Sequence, residues 1–221
     1  MNTIIFDIDG TLVDSDAWDA ELYIQSAQEV LGTVHIHDDW SAYEHVTDRG
    51  ILQQIMREHD MEQEESLLRE IEELFCGKTS TRIQQHPCEA ILGAMDAIEK
   101  LVKSHTWQVG LATGGWERTA IAKLDSAGFD VHDLPLCTSS DYSSRIEIMK
   151  ACQARMSQPA GRTVYVGDGA WDLKATRELN WGFIAIGKQL QGQHPVWIEN
   201  FLDPAWKTAP EKALQAHASD F

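Results

Sequence analysis

Two aspartates one residue apart close the first apolar run of the chain, Ile4-Ile5-Phe6-Asp7-Ile8-Asp9-Gly10-Thr11-Leu12. The β-branched and aromatic residues of this run predict a short buried strand over residues 2–8, and Gly10 ends it. Side chains two apart on a strand project to the same face, so Asp7 and Asp9 enter one small volume. Two carboxylates held that close need a cation, a proton or a substrate between them, and a divalent metal is the simplest answer. A solvated turn after an edge strand would also use Asp and Gly. The rest of the chain decides between the two.

At 221 residues the chain can bury a full core and hold one domain with an insert, or two small domains. Cys76, Cys88, Cys137 and Cys152 show no CxxC pairing and read as buried thiols of a reducing compartment. There is no basic-then-apolar leader and no apolar run near the ~20 residues of a membrane span, so the expected location is cytoplasmic. The net charge of -17 argues against nucleic acid or an anionic membrane as partner, because both require a basic surface. A small phosphorylated metabolite remains compatible, since one metal and a few placed donors meet its charge. The acid excess is local: residues 16–82 hold 16 acids and 5 bases.

After the first strand the pattern turns helical. Apolar spacing predicts helices over 16–31, 47–59 and 62–76, with stops at Gly32 and Gly77 and Thr47 as an N-cap. From Pro87 onward elements alternate: helix 89–104, strand 107–112, helix 116–127, strand 134–137, helix 145–156, strand 163–166, helix 170–179 and strand 182–186, with 195–201 as a further edge strand. This βαβ series implies an α/β fold with a doubly wound, mostly parallel sheet. The expected organisation is a core of residues 1–15 and 83–221 interrupted by an all-helical cap domain at 16–82.

Four loops follow strands on their carboxyl side, where open parallel sheets collect ligands. The first carries Asp7 and Asp9. The second, Thr113-Gly114-Gly115, can aim backbone N–H groups and a hydroxyl at an anion, or be a plain strand-to-helix turn. The third runs into Arg145, which a Ser144/Glu147 capping box would place at the first helical position. A cation there opposes the helix dipole unless an anion lies nearby, whereas Lys150, further along the helix, is the reserve candidate. The fourth, Gly167-Asp168-Gly169-Ala170-Trp171-Asp172, sets one acid between glycines and a second one turn later on the same side.

Together, in this order, the four loops resemble the haloacid dehalogenase superfamily, in the group with a helical cap inserted after the first strand. Asp7-Ile8-Asp9-Gly10-Thr11-Leu12-Val13-Asp14-Ser15 is similar to that group's signature, and Gly167 to Asp172 to its closing acidic motif. The resemblance covers the whole core and implies a Mg2+-dependent phosphatase acting on a small phosphomonoester. It would make Asp7 the nucleophile and Asp9 the general acid and base. Thr113, Gly114 and Arg145 would hold the phosphoryl oxygens, although this cation is more familiar as lysine. Asp7, Asp168, Asp172 and the main-chain carbonyl of Asp9 would serve the metal. In the cap, His45-Val46-Thr47-Asp48-Arg49-Gly50 would bring Thr47 and Arg49 to the substrate, unless it is an ordinary helix start.

His35 and His37 lack further spaced ligands and read as surface residues, and Trp116 and Trp171 flank catalytic loops and could line the mouth. Asp9 argues against a dehalogenase, which needs no second acid. A phosphonate hydrolase would need a cap lysine, and only Lys78 lies in residues 16–82. A sugar phosphomutase on the same core and a non-catalytic regulator binding phosphorylated metabolites stay open as alternatives. The expected assembly is a monomer or homodimer.

Overall fold

In the computed structural model, β1 (Asn2–Phe6) lies in the middle of a six-stranded sheet. It pairs in parallel with β4 (Trp107–Ala112) on one side and β6 (Thr163–Gly167) on the other. That position explains the apolar run Ile4–Phe6 in its second half, since a central parallel strand is covered on both faces. Ile4 and Phe6 point into one apolar cluster with Val109, Leu111, Val164 and Val166, while Ile5 points into the opposite one with Ala112 and Tyr165. The full strand order is β5 (Leu136–Cys137), β4, β1, β6, β7 (Gly182–Ile186) and β8 (Trp197–Ile198), all neighbours parallel. Residues 1–216 are described, so the end of the expected core segment, 217–221, lies outside the described residues.

Helices cover both faces. On one side α4 (Ala94–Val102), α5 (Glu117–Ser126) and α8 (Ala209–Gln215) contribute Ile98, Ala120, Leu124 and Ala213. On the other, α6 (Arg145–Ala154) and α7 (Ala170–Leu179) contribute Ile148, Met149 and Ala175. Because strand order departs from β1 in both directions, the carboxyl end of β1 sits at the point where connections diverge, the usual crevice of such sheets. All four cysteines are free and buried. Among the described residues no helix is long and apolar enough to cross a membrane.

Between β1 and the rest of the sheet stand α1 (Asp16–Leu31), α2 (Asp48–Glu58) and α3 (Glu65–Gln85). They share a third apolar cluster built on Tyr23, Ile51, Leu52, Ile55, Met56, Ile71 and Phe75, closed by Trp116 from the sheet side. A two-stranded antiparallel link, β2 (Val13–Asp14) against β3 (Glu89–Ala90), brings the chain out and back at one place.

Several expected boundaries differ. Helix α3 does not stop at Gly77 but continues to Gln85, so the expected boundary at residue 82 falls inside it. Gly77 is helical, where glycine costs about 1 kcal/mol relative to alanine without forcing a stop. Arg82 over the Trp18 ring and the Lys78–Glu29 ion pair anchor the turns beyond it. The helix expected over 89–104 starts only at Ala94, because Glu89–Ala90 pairs with β2 and Gly93 adopts φ +80°. Strand β5 keeps two residues of the expected four. Ser144 caps α6 by position only, without the capping-box side-chain bond.

Candidate active site

The carboxyl ends of β1, β4 and β6 and the start of α6 meet at a cavity of about 310 Å³. Asp7 leaves β1 with its N–H bonded to the carbonyl of Val166 at 2.9 Å, and its carboxyl is buried. The chain then turns at Gly10, φ +68°, where a Cβ would collide with the carboxylates of Asp168 and Asp16. Asp172, fully buried, is fixed by the Gly169 N–H donating to its Oδ2 at 3.1 Å. Asp7, Asp168 and Asp172 each offer an oxygen within 4.8 Å of the others.

One guanidinium faces two of these acids. Arg145 Nη1 lies 2.8 Å from Asp172 Oδ1 and 3.5 Å from Asp7 Oδ2. The expected dipole penalty at the first position of α6 is therefore met by two buried anions. Burial pushes Asp7 well above the usual carboxylate range, Asp172 adds to the shift, and Arg145 opposes it. Asp168 is also held well above its ordinary value by burial and then by Asp16, and Asp172 is raised by burial against the pull of Arg145. Asp7 Oδ1 is buried without a hydrogen-bond partner. An all-oxygen set with excess negative charge and an open lone pair fits a hard divalent cation such as Mg2+.

The anion-facing wall comes from the second loop. Thr113 is buried, and its hydroxyl accepts from the Gly115 N–H at 3.1 Å. A Cβ on Gly114 would fall 2.5 Å from Arg145 Nη2 and 2.8 Å from the Val46 carbonyl, so only glycine lets the guanidinium approach this turn. Lys150 is exposed on α6, which leaves Arg145 as the cation of the cavity.

Asp9 lies in a different setting. Its Oδ1 accepts from the Ser15 hydroxyl and, at 2.7 Å, from the Nζ of Lys123. Lys123 is 1% exposed and also lies 2.6 Å from Asp19 Oδ1 on α1. Asp9 Oδ2 faces the Thr113-Gly114-Gly115 turn, within 3.5 Å of where a Gly115 Cβ would stand.

The start of α2 roofs the cavity. Thr47 caps that helix through the Gly50 N–H at 3.0 Å and donates its hydroxyl to the Ser143 carbonyl at 2.6 Å. The Asp48 N–H donates to the Gly114 carbonyl at 2.8 Å, and the Trp116 N–H to Asp48 Oδ2 at 2.9 Å. Arg145 Nη2 donates to the Val46 carbonyl at 3.0 Å. Burial pushes Asp48 well above the carboxylate range, and Asp19 adds to the shift.

Residues 4–186 match the family model described as haloacid dehalogenase-like hydrolase. The chain belongs to that family. A hydrolase from Pseudomonas syringae is 20% identical with a TM-score of 0.68, over 96% of this chain and 90% of the other. A beta-phosphoglucomutase from Clostridium difficile is 14% identical with a TM-score of 0.69, over 97% and 98%. CbbY from Rhodobacter sphaeroides, solved in complex with phosphate, is 14% identical with a TM-score of 0.63, over 91% and 95%. At these identities the three share the fold. No curated protein sequence matches significantly.

In this haloacid dehalogenase-like hydrolase, Asp7, Asp9, Thr113, Gly114, Arg145 and Asp168 all line the cavity, with Asp172 buried behind them and Thr47 in the roof. Arg49 is not among them: it pairs with Glu65, at 2.5 Å, on the outside of the insert. Two residues on in a helix, it points to another face than Thr47. Trp116 is buried in the insert's apolar cluster instead of lining the mouth, whereas Trp171 does line it. His35 is exposed, and His37 pairs with Glu58. Sequence reasoning missed Lys123, Asp19 and Asp48. Lys123 carried a readable signal, for it shares the buried stripe of α5 with Thr119, Ala120 and Leu124, and a lysine on such a stripe requires an acid partner.

Proposed function

We propose that this hydrolase is a Mg2+-dependent phosphatase of small phosphomonoesters. The carrying observation is the buried, unpartnered Oδ1 of Asp7 at the cavity floor, with Arg145 and the Thr113-Gly114 turn beside it and Asp9 two residues on. In this reading Asp7 attacks phosphorus and the bond to the leaving oxygen breaks, giving an aspartyl-phosphate. The departing oxygen keeps the electron pair of the broken bond and takes a proton from Asp9. Asp9 then accepts a proton from the water that hydrolyses the acyl phosphate and releases Asp7. Arg145, the Thr113 hydroxyl and the Gly114 N–H hold the transferring oxygens, where positioning and charge account for most of the catalysis.

Asp7 and Asp168 would hold the cation, joined by the main-chain carbonyl of Asp9. Asp172, whose oxygens already accept from Arg145 and Gly169, would support them. When bound, Mg2+ supplies the positive charge that lets a phosphate dianion approach these carboxylates. The helical insert would act as the cap, excluding water and selecting the leaving group. The expected partner is a small phosphorylated metabolite.

The test is phosphate release with Mg2+ across sugar phosphates, phosphoglycolate and nucleoside monophosphates, beside Asp7→Asn. A phosphatase releases phosphate from at least one compound, and Asp7→Asn releases none. Absence of Asp7-dependent release from every compound overturns the reading. The phosphomutase alternative rests on the same floor and on the fold shared with beta-phosphoglucomutase. It would show itself as transfer to a second hydroxyl without net release of phosphate.

A further inference from the structure

Lys123 is the one buried cation of the site that the proposed chemistry leaves without a task. It stands on α5, a helix of the sheet domain, with 1% of its surface exposed. Its ammonium lies 2.7 Å from Asp9 Oδ1 and 2.6 Å from Asp19 Oδ1, in the first turn of α1. The Trp18 ring packs beneath it at 5.6 Å, with Arg82 of α3 over the same ring at 5.3 Å. One side chain therefore touches the second acid of the strand-end pair and the point where the chain enters the helical insert.

Taking an ammonium out of water is costly unless its partners are close and geometrically fixed. Two carboxylates from different parts of the fold lie that close to it, Asp9 through a hydrogen bond and Asp19 as an ion pair. With Oδ1 held by both Lys123 and Ser15, the Asp9 carboxyl has one rotational setting, and Oδ2 is the oxygen left facing the Thr113 turn.

We infer that Lys123 is a positioning residue that fixes the orientation of Asp9 and makes that orientation depend on the seating of α1 through Asp19. The inference rests on the phosphatase reading for its kinetic consequence, and on geometry alone for its structural one. If α1 lifts, Lys123 loses one of its two anions and Asp9 loses the fixed partner that aims it. Proton transfer is then set up only under a seated insert, which limits hydrolysis in the open state.

The test uses the full-length protein with Lys123→Met, Lys123→Arg and Asp19→Asn, read in two ways. Hydrogen–deuterium exchange without substrate should show faster exchange in residues 8–31 for Lys123→Met and Asp19→Asn. The central strands should stay unchanged, and Lys123→Arg should resemble the wild type. Kinetically, general acid catalysis is worth about 100-fold or more, and it matters most where the leaving group is poor. Lys123→Met should lower kcat/KM for phenyl phosphate by about 100-fold and for p-nitrophenyl phosphate by about 10-fold or less. Inhibition by tungstate, which needs no proton transfer, should change by less than about 3-fold, and Lys123→Arg should recover most of the lost rate.

Unchanged exchange in residues 8–31 overturns the inference whatever the enzyme's activity. Equal losses on the two substrates, or a loss confined to KM and tungstate binding, overturn the positioning role. Absence of Asp7-dependent turnover in the wild type would instead sink the phosphatase reading and leave the exchange result to decide the structural link.

Discussion

The floor and the roof of the cavity are both rich in aspartate, yet they manage it differently. On the floor, Asp7, Asp168 and Asp172 converge from two strand ends and the first turn of α7, with one guanidinium against Asp7 and Asp172 and an open lone pair on Asp7. In the roof, Asp48 accepts a backbone N–H, and Asp19 depends on Lys123, a cation contributed by the sheet domain. The floor is a charge imbalance built into a rigid sheet and suited to a bound cation. In the roof one acid, Asp19, finds its cation on a helix of the sheet domain, and the other, Asp48, finds a backbone donor there. Two of the floor's acids, Asp7 and Asp172, share one cation at the strand ends, whereas the roof's acids take their partners from the sheet domain.

Removing Asp7, the proposed nucleophile of the floor, breaks the comparison most severely. Asp7→Asn should abolish turnover by about 10⁴-fold or more, the scale of losing a covalent nucleophile. It should also raise the melting temperature of the metal-free protein, because one crowded anion is gone. A fall in melting temperature would show that the floor is not electrostatically strained. Arg145→Ala is the converse, leaving Asp172 and Asp7 as uncompensated buried anions, at a cost of about 3 to 5 kcal/mol in denaturant unfolding.

A pH series separates protons from metal. Asp16 and Asp19 are pushed up to about 6, chiefly by burial, with the Asp9 charge also raising both. Unfolded, they titrate near 3.9, so between these values the folded form binds more protons. Stability then falls as pH rises through about 6. The metal-free protein should melt higher at pH 5.5 than at pH 7.5, and saturating Mg2+ should raise the melting temperature more at 7.5. An Mg2+ effect equal at both pH values would disconnect the cation from Asp7 and Asp168, which burial also holds above the usual carboxylate range.

Smaller effects mark the roof. Asp48→Ala deletes the acceptor of the Trp116 N–H and should cost about 1 to 3 kcal/mol, with KM moving more than kcat in steady-state assays. Arg49→Ala should be nearly silent, within about 0.5 kcal/mol and 2-fold in kcat/KM, because its pair with Glu65 is partly exposed. A larger kinetic loss would bring Arg49 back as a substrate contact.

The floor was readable in sequence because strand-end loops have short-range signatures. Asp7 and Asp9 alternate with apolar residues, Asp168 sits between glycines, and the Gly114 turn precedes a helix. The roof was legible only in part: the sequence marks Thr47 as an N-cap, but a helix start such as 47–50 reads the same whether it caps to water or docks on a loop. Only the fold shows that Thr47 reaches Ser143 while Arg49 turns outward to Glu65. Gly77 misled for a related reason: a glycine stops a helix when the chain must turn there, and α3 has to run on to return to the sheet.

By itself the sequence determined the parallel sheet, the helical insert and the floor residues, because periodicity and glycine placement act over a few neighbouring residues. The tertiary structure alone put Arg145 in the cavity with Lys150 exposed, and joined Lys123 to Asp9 across 114 positions. Such pairings follow from which helix faces meet in space, and burial makes them obligatory, since an ammonium or guanidinium out of water must have its anion beside it.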